Sequence, residues 1–218
     1  MEKVEWIKTR ISMDTIDWKG NSIHLVDVPA LKNSKTGKTR IYPSDVAQAE
    51  FKMRAQEHNL EPRDIALLSL LCAKPGPFQK GQVHFKYHLN KMLFYQWKRM
   101  EEVGLGETYP RDEFRPDDRG PVPNNLNNDL QRLKDLGLIT LERKQWGEND
   151  RDASIKTDLT EKGQKLIEDI WKEIPDPFKE VTMKVKANLF PLNPKTIRER
   201  VHRDYPEYKK SYTELDTD

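Results

Sequence analysis

Apolar and polar positions divide the chain into three stretches of different character. Residues 16–18 and 23–28 are rich in β-formers and flank Lys19-Gly20-Asn21-Ser22. A Gly-Asn pair between two such runs predicts a hairpin. Residues 30–39 read as a polar loop carrying Lys32, Lys35 and Lys38, and Arg40-Ile41-Tyr42 as a third short strand ended by Pro43. Ser44 stands where a helix N-cap is expected, and Val46, Ala49 and Met53 give residues 45–57 an apolar stripe. Residues 1–58 are therefore expected to form a small α+β module.

The second stretch, residues 62–174, is predominantly helical. Pro62 suits a first helical position. Ile65, Leu67, Leu68, Leu70 and Leu71 cover every side of the helix that follows, so burial is expected until Lys74-Pro75-Gly76-Pro77 stops it. A longer helix is predicted over 83–103, with Leu89, Met92, Leu93, Met100 and Val103 as its stripe, and then a polar, acidic loop over 104–119. Leu126, Leu130 and Leu133 recur at i, i+4 and i+7, and Gly137 is placed to end that helix in the left-handed conformation. Residues 139–145 and 154–159 read as the strands of a hairpin with a charged tip. Thr160 caps a helix over 161–174 that Pro175 closes.

Helix, helix, helix, hairpin, helix is the order of a winged helix-turn-helix. Leu-x-x-Leu-Gly-Leu-Ile at 133–139 and Leu-Thr-Glu-Lys-Gly at 159–163 are characteristic of that class. The expected fold is α+β: the N-terminal module, the winged helix-turn-helix, and a helical C-terminal extension over 178–212.

Composition narrows the function classes. Charged residues make up 34% of the 218, hydrophobic ones 35%, and mean hydropathy is −0.90, which fits a modest core under a solvated surface. The single cysteine, Cys72, rules out an intramolecular disulfide and a cysteine zinc cluster. The longest nearly apolar run, 65–73, falls far short of the ~20 residues that span a bilayer. Met1 to Arg10 is charged, with no apolar signal segment, so a cytoplasmic protein without membrane association is expected. Net charge is only +2, but its distribution is uneven. From Lys74 to Met100 there are six cations and no acid, and from Phe178 to Lys210 nine cations against four acids. Segregated charge of this kind can steer a polyanion even when the total is near zero.

Three stretches between about Pro62 and Tyr212 resemble the Panacea-type, SocA-antitoxin-like winged-helix proteins of bacteria and archaea. They are Asn90-Lys91-Met92-Leu93-Phe94-Tyr95, Arg119-Gly120-Pro121, and Val201-His202-Arg203-Asp204-Tyr205-Pro206-Glu207-Tyr208. The resemblance implies regulation or macromolecular docking rather than a reaction.

The helix before the hairpin carries the candidate chemistry. With Leu126 inward, Asn124, Asn128, Gln131 and Asp135 share the opposite side, flanked by Asn125, Asn127, Arg132 and Lys134. Asn and Gln can bond adenine bidentately, while Arg and Lys suit guanine and phosphate. An Asn-rich start that caps itself is the plainer alternative. In the wing, Arg143, Lys144 and Arg151 are offset by Glu142, Glu148, Asp150 and Asp152. The alternative basic surface is Lys74, Lys80, Lys86, Lys91, Lys98 and Arg99, interleaved with Phe78, Phe85, Tyr87, Phe94, Tyr95 and Trp97, together with Arg198 and Arg200. Aromatics among lysines would suit unpaired bases, although core packing is the more frequent use of such a stripe.

Enzyme motifs are weak. His84 and His88 at i, i+4 have no evident third ligand. Thr36-Gly37-Lys38-Thr39 lacks the upstream glycine of a phosphate loop. The expectation is a non-enzymatic regulator that needs no cofactor and binds duplex DNA as a homodimer, with Val181, Val185 and Leu189 as dimer contacts. An RNA- or ribosome-binding factor, or an antitoxin-like protein-docking adaptor, is the alternative.

Overall fold

Alternation along residues 7–15 makes the first strand far longer than the hairpin signal implies. In a computed structural model of the chain, which describes residues 5–17, 21–72, 84–106, 113–117, 120–144 and 154–209, β1 (Trp6–Ile16) pairs antiparallel with β2 (Ser22–Asn33). β3 (Thr39–Arg40) adds to the far side of β2. The expected polar loop is thus strand as far as Asn33, whose side chain accepts from the Lys35 and Thr36 amides at 3.0 and 2.9 Å and turns the chain. Opposite Ile11 and Met13, β2 spends an extra residue, with Asp27 at φ +61°.

Pro43 begins a helix rather than ending a strand. Tyr42 is the N-cap of α1 (Pro43–Glu57), and the Asp45 carboxylate accepts from its amide at 3.1 Å, so Ser44 lies inside the first turn. One side of α1 covers the sheet, where Leu25, Val28 and Ala49 form a small core with Ile11, Met13, Ile23, Ile41, Val46 and Met53. The other side belongs to the main core through Phe51 and Ala55, and the Phe51 ring lies 4.4 Å from that of Phe178. Arg54 reaches back to the buried Asp17 carboxylate at 3.1 Å.

The main core is built on α2 (Pro62–Leu71), in which every residue from Ile65 to Leu71 is buried. Then follow β4 (His84–Phe85), α3 (Lys86–Glu102), β5 (Phe114–Arg115), β6 (Val122–Pro123), α4 (Leu126–Asp135), β7 (Ile139–Lys144), β8 (Ser154–Leu159), α5 (Glu161–Trp171), α6 (Asp176–Leu189) and α7 (Pro194–Asp204). The whole is mixed α+β, with seven α-helices and three small antiparallel sheets among the described residues. One sheet has the order β4-β8-β7, and β5 pairs with β6. A 3-10 turn, Pro206–Tyr208, helps bring Tyr205 and Tyr208 edge-on to Phe94 at 5.0 and 4.7 Å. None of the described helices is long and apolar enough to cross a membrane.

The two leucine-glycine signatures meet. Thr160 caps α5 by accepting from the Gly163 amide at 3.0 Å, and its hydroxyl donates to the Gly137 carbonyl at 2.7 Å. Gly163 lies so close to Leu138 that a Cβ would be driven into that residue's carbonyl oxygen. The second signature therefore needs glycine to dock α5 on the turn after α4.

α6 corrects one expectation. Val181, Val185 and Leu189 are buried in the chain's own core, where α6 packs on α3, and so are not available as a dimer contact. Gln96 donates to Thr182 at 2.8 Å within this contact. Beside it the fully buried Lys186 ammonium donates to the carbonyls of Ser69 (3.2 Å) and Cys72, capping the C-terminal end of α2. Burial pushes Lys186 down from 10.5 to about 8.

Two outcomes are expected. Gly163→Ala loses about 1–3 kcal/mol of stability through overpacking, measured by urea unfolding. For Lys186, the unfolded chain binds more protons than the folded one between pH 8 and 10.5. Stability thus rises with pH through that window, and the rise is smaller in Lys186→Met than in the wild type.

Candidate nucleic-acid interface

α4 turns its three leucines inward as their spacing predicts, with Leu126, Leu130 and Leu133 all buried, and Gly137 at φ +70° follows its end. Asn124, Asn125, Asn128, Gln131 and Lys134 are exposed. Their side chains nevertheless differ in what they do. Asn125 is the N-cap but makes no side-chain cap bond, contrary to the self-capping alternative, and its side chain instead bonds Glu113. The Asn124 backbone amide donates to the Glu113 carbonyl at 2.7 Å. Asn127 accepts from Lys86, and Gln131 donates to Asp135 at 2.7 Å along the helix. The exposed amides of Asn128 and Gln131 lie one turn apart on the helix.

Arg132 has a different place from the one its position on the helix suggests. Two of its guanidinium nitrogens donate to both oxygens of Asp64, each at 2.7 Å, and one also reaches Asp129 at 3.4 Å. Asp64 has no exposure, and it also accepts from the Glu61 amide at 2.8 Å in the capping box of α2. Arg63 extends the network to Glu61 (2.8 Å), Asp129 (3.2 Å) and Glu113 (3.9 Å). Burial raises the Asp64, Asp129 and Glu113 carboxyls above their ordinary values against the pull of the two arginines. Arg132 thus fastens α4 to the start of α2.

Of the expected wing, the described residues include the strands β7 and β8. Arg143 is exposed on β7, and Lys144 closes that strand with its side chain outside the described residues. Arg151 and the rest of the expected tip, 145–153, also lie outside them.

Among the described residues, the cations of the alternative basic surface do not share one face. Lys74 and Lys80 lie outside the described residues. Lys86 is half-buried beside Asn127, and burial lowers it. Lys91 is fully buried and donates to the Pro121 carbonyl at 2.9 Å. Lys98 lies 4.3 Å over the Trp97 ring, and Arg99 pairs with Glu102 at 2.7 Å. On α7, Arg198 is exposed, whereas Arg200 donates to the Asn188 carbonyl at 3.3 Å. Phe94, Tyr95 and Trp97 are buried, and Phe94 and Trp97 pack on Phe114 at 5.4 and 5.0 Å. The His88 ring lies 3.1 Å from the Leu192 carbonyl, and no metal-holding group occurs among the described residues.

What no periodicity announced is that the three short stretches of the family resemblance converge. Lys91 holds Pro121, and Gly120 stands at φ +86° where a Cβ would lie 3.2 Å from Val201 and 3.4 Å from the Lys91 nitrogen. The Tyr95 hydroxyl donates to Asp204 at 2.9 Å. In this chain they form a packing unit that ties α3, the Gly-Pro turn and α7 together.

Arg132→Met leaves the Asp64 carboxylate buried without its guanidinium and is expected to cost about 3–5 kcal/mol in denaturant unfolding. Combining it with Asp64→Asn, which keeps a cap acceptor for α2, is expected to recover more than half of that loss. Compared with known proteins, the chain matches no family model, no curated protein and no solved structure.

Proposed function

We propose that the chain is a non-enzymatic winged-helix DNA-binding protein, a transcriptional regulator, with α4 as its recognition helix. The observation that carries this reading is the exposed amide face of α4, with Asn124, Asn128, Gln131 and Lys134 beside the β7–β8 hairpin. The order α2, β4, α3, α4, β7, β8, with β4 pairing on β8, supports a winged helix, since a short strand between the first two helices completes the wing sheet in that architecture. The resemblance to Panacea-type proteins agrees with a docking role.

Asn128 and Gln131 read base edges in the major groove. Lys134 and Arg143, together with Lys144 and Arg151 of the wing, hold phosphates. Arg132 acts as a positioning residue through Asp64 and touches no phosphate. A homodimer would set two such helices about 34–36 Å apart on a two-fold site. Stacking on unpaired bases needs aromatic rings that face solvent. Of the α3 rings, Phe94, Tyr95 and Trp97 are buried, which favours the duplex.

Selection from random duplexes, followed by anisotropy titration at several salt concentrations, tests this. Asn128→Ala with Gln131→Ala is expected to lose about 1–3 kcal/mol of discrimination per base contact. Lys134→Ala weakens all duplexes alike and reduces the salt slope by about 1. Absence of duplex binding at low salt overturns the reading and leaves a protein-docking adaptor.

A further inference from the structure

The strand order β1-β2-β3 puts β1 at the edge of its sheet, and no described strand pairs with its outer side. Eleven residues of edge backbone are a ready template for another strand. Edges of this length are commonly blunted by proline, by a bulge in the edge strand, or by charged side chains, of which β1 has Lys8, Arg10 and Asp14; charges of both signs exclude a strand only where like faces like. β1 contains no proline, and the extra residue of its bulge lies in β2. From Lys8 to Ile16 its even-numbered residues are exposed, while Ile11 and Met13 turn toward α1.

We propose that β1 pairs antiparallel with β1 of a second copy, about a two-fold axis through Ile11, joining the two three-stranded sheets into one. A two-fold axis normal to the sheet keeps every side chain on its own face. Facing positions must therefore have the same parity, because alternate residues point to opposite faces. Centring on Ile11 is the register that pairs all eleven residues. In it Lys8 faces Asp14 of the partner subunit, twice by symmetry. Trp6, 39% exposed, faces Ile16 of the partner subunit, 67% exposed, again twice. Opposite charges and an aromatic–β-branched pair directly across from each other are the combinations that stabilise antiparallel strands. Neighbouring registers keep less of this fit. Centring on Arg10 sets Arg10 against itself. Centring on Ser12 faces Arg10 with Asp14 but leaves Trp6 and Ile7 without partners and sets Lys8 against Ile16. The sequence of β1 is thus complementary to its own reverse, and a second copy of this chain is the partner that the edge fits. The inference goes beyond the DNA reading, whose homodimer has no interface assigned, and it is tested without nucleic acid.

Sedimentation velocity of the full chain over a range of concentrations is expected to show a species of twice 25.7 kDa. Lys8→Asp alone places like charges across the axis, as does Asp14→Lys alone. Each is expected to weaken the dimer about tenfold or more, and Lys8→Asp with Asp14→Lys together is expected to restore it. Both side chains are exposed, and the contact of Asp14 with His24 of β2 at 2.7 Å is itself an exposed pair, so the circular-dichroism melt of each variant should keep its cooperative transition. A chain that stays monomeric at every concentration overturns the proposal. So does a dimer indifferent to both single swaps, or one that the double swap fails to restore.

Discussion

Asp64 is a carboxylate with no exposure to water, and much of the arrangement around α4 follows from how it is satisfied. An ionised group in that position is tolerable only with close, well-aligned donors. It has the Glu61 amide of its own helix and two nitrogens of Arg132 at 2.7 Å. The first fixes where α2 begins, and the second fixes how α4 is rotated. With Arg132 turned toward α2 and the three leucines turned into the core, Asn128, Gln131 and Lys134 have only the solvent side left. Asp129 and Arg63 carry the same network to Glu113, beside β5, so the segment before α4 is tethered to it as well.

Two lysines serve the core in a comparable way. Lys186 closes the far end of α2 through the Ser69 and Cys72 carbonyls, and Lys91 holds the Pro121 carbonyl. Each supplies donors to backbone carbonyls in the last turn of a helix or outside regular structure, where an unanswered carbonyl inside the protein would be costly. The charge of the basic segments is therefore partly internal, and a count of cations along the chain overstates the surface field.

Local patterns were legible where one element satisfies its own requirements. The leucines of α4, Gly137 after its end, the Thr160 cap and the β7–β8 hairpin all follow from residues within a turn or two of one another. The strands of the first sheet extend beyond their apolar runs because Pro29 sits within β2 and charged side chains share β1 with its apolar positions. Pro43 is ambiguous in sequence because a proline can as readily open a helix as close a strand. Long-range pairings were not legible. Arg132 and Asp64 are 68 positions apart, and nothing in the helical pattern distinguishes Arg132 from an exposed cation. Lys91 and Pro121 are 30 apart. The aromatics of α3 carried both readings in the sequence, and only their contacts with Phe114, Tyr205 and Tyr208 decide for packing.

α1 is a wall shared by two rooms. Its Ala49 side closes the small core over the N-terminal sheet, and its Phe51 and Ala55 side closes the large one against Phe178. The break in pattern near residue 60 is a boundary in the chain but not in the packing. Severing the chain there would take Phe51 and Ala55 away with the N-terminal piece and open the large core to water beside Phe178. The N-terminal sheet is in this sense a buttress whose removal is felt at α6, on the opposite side of the shared helix.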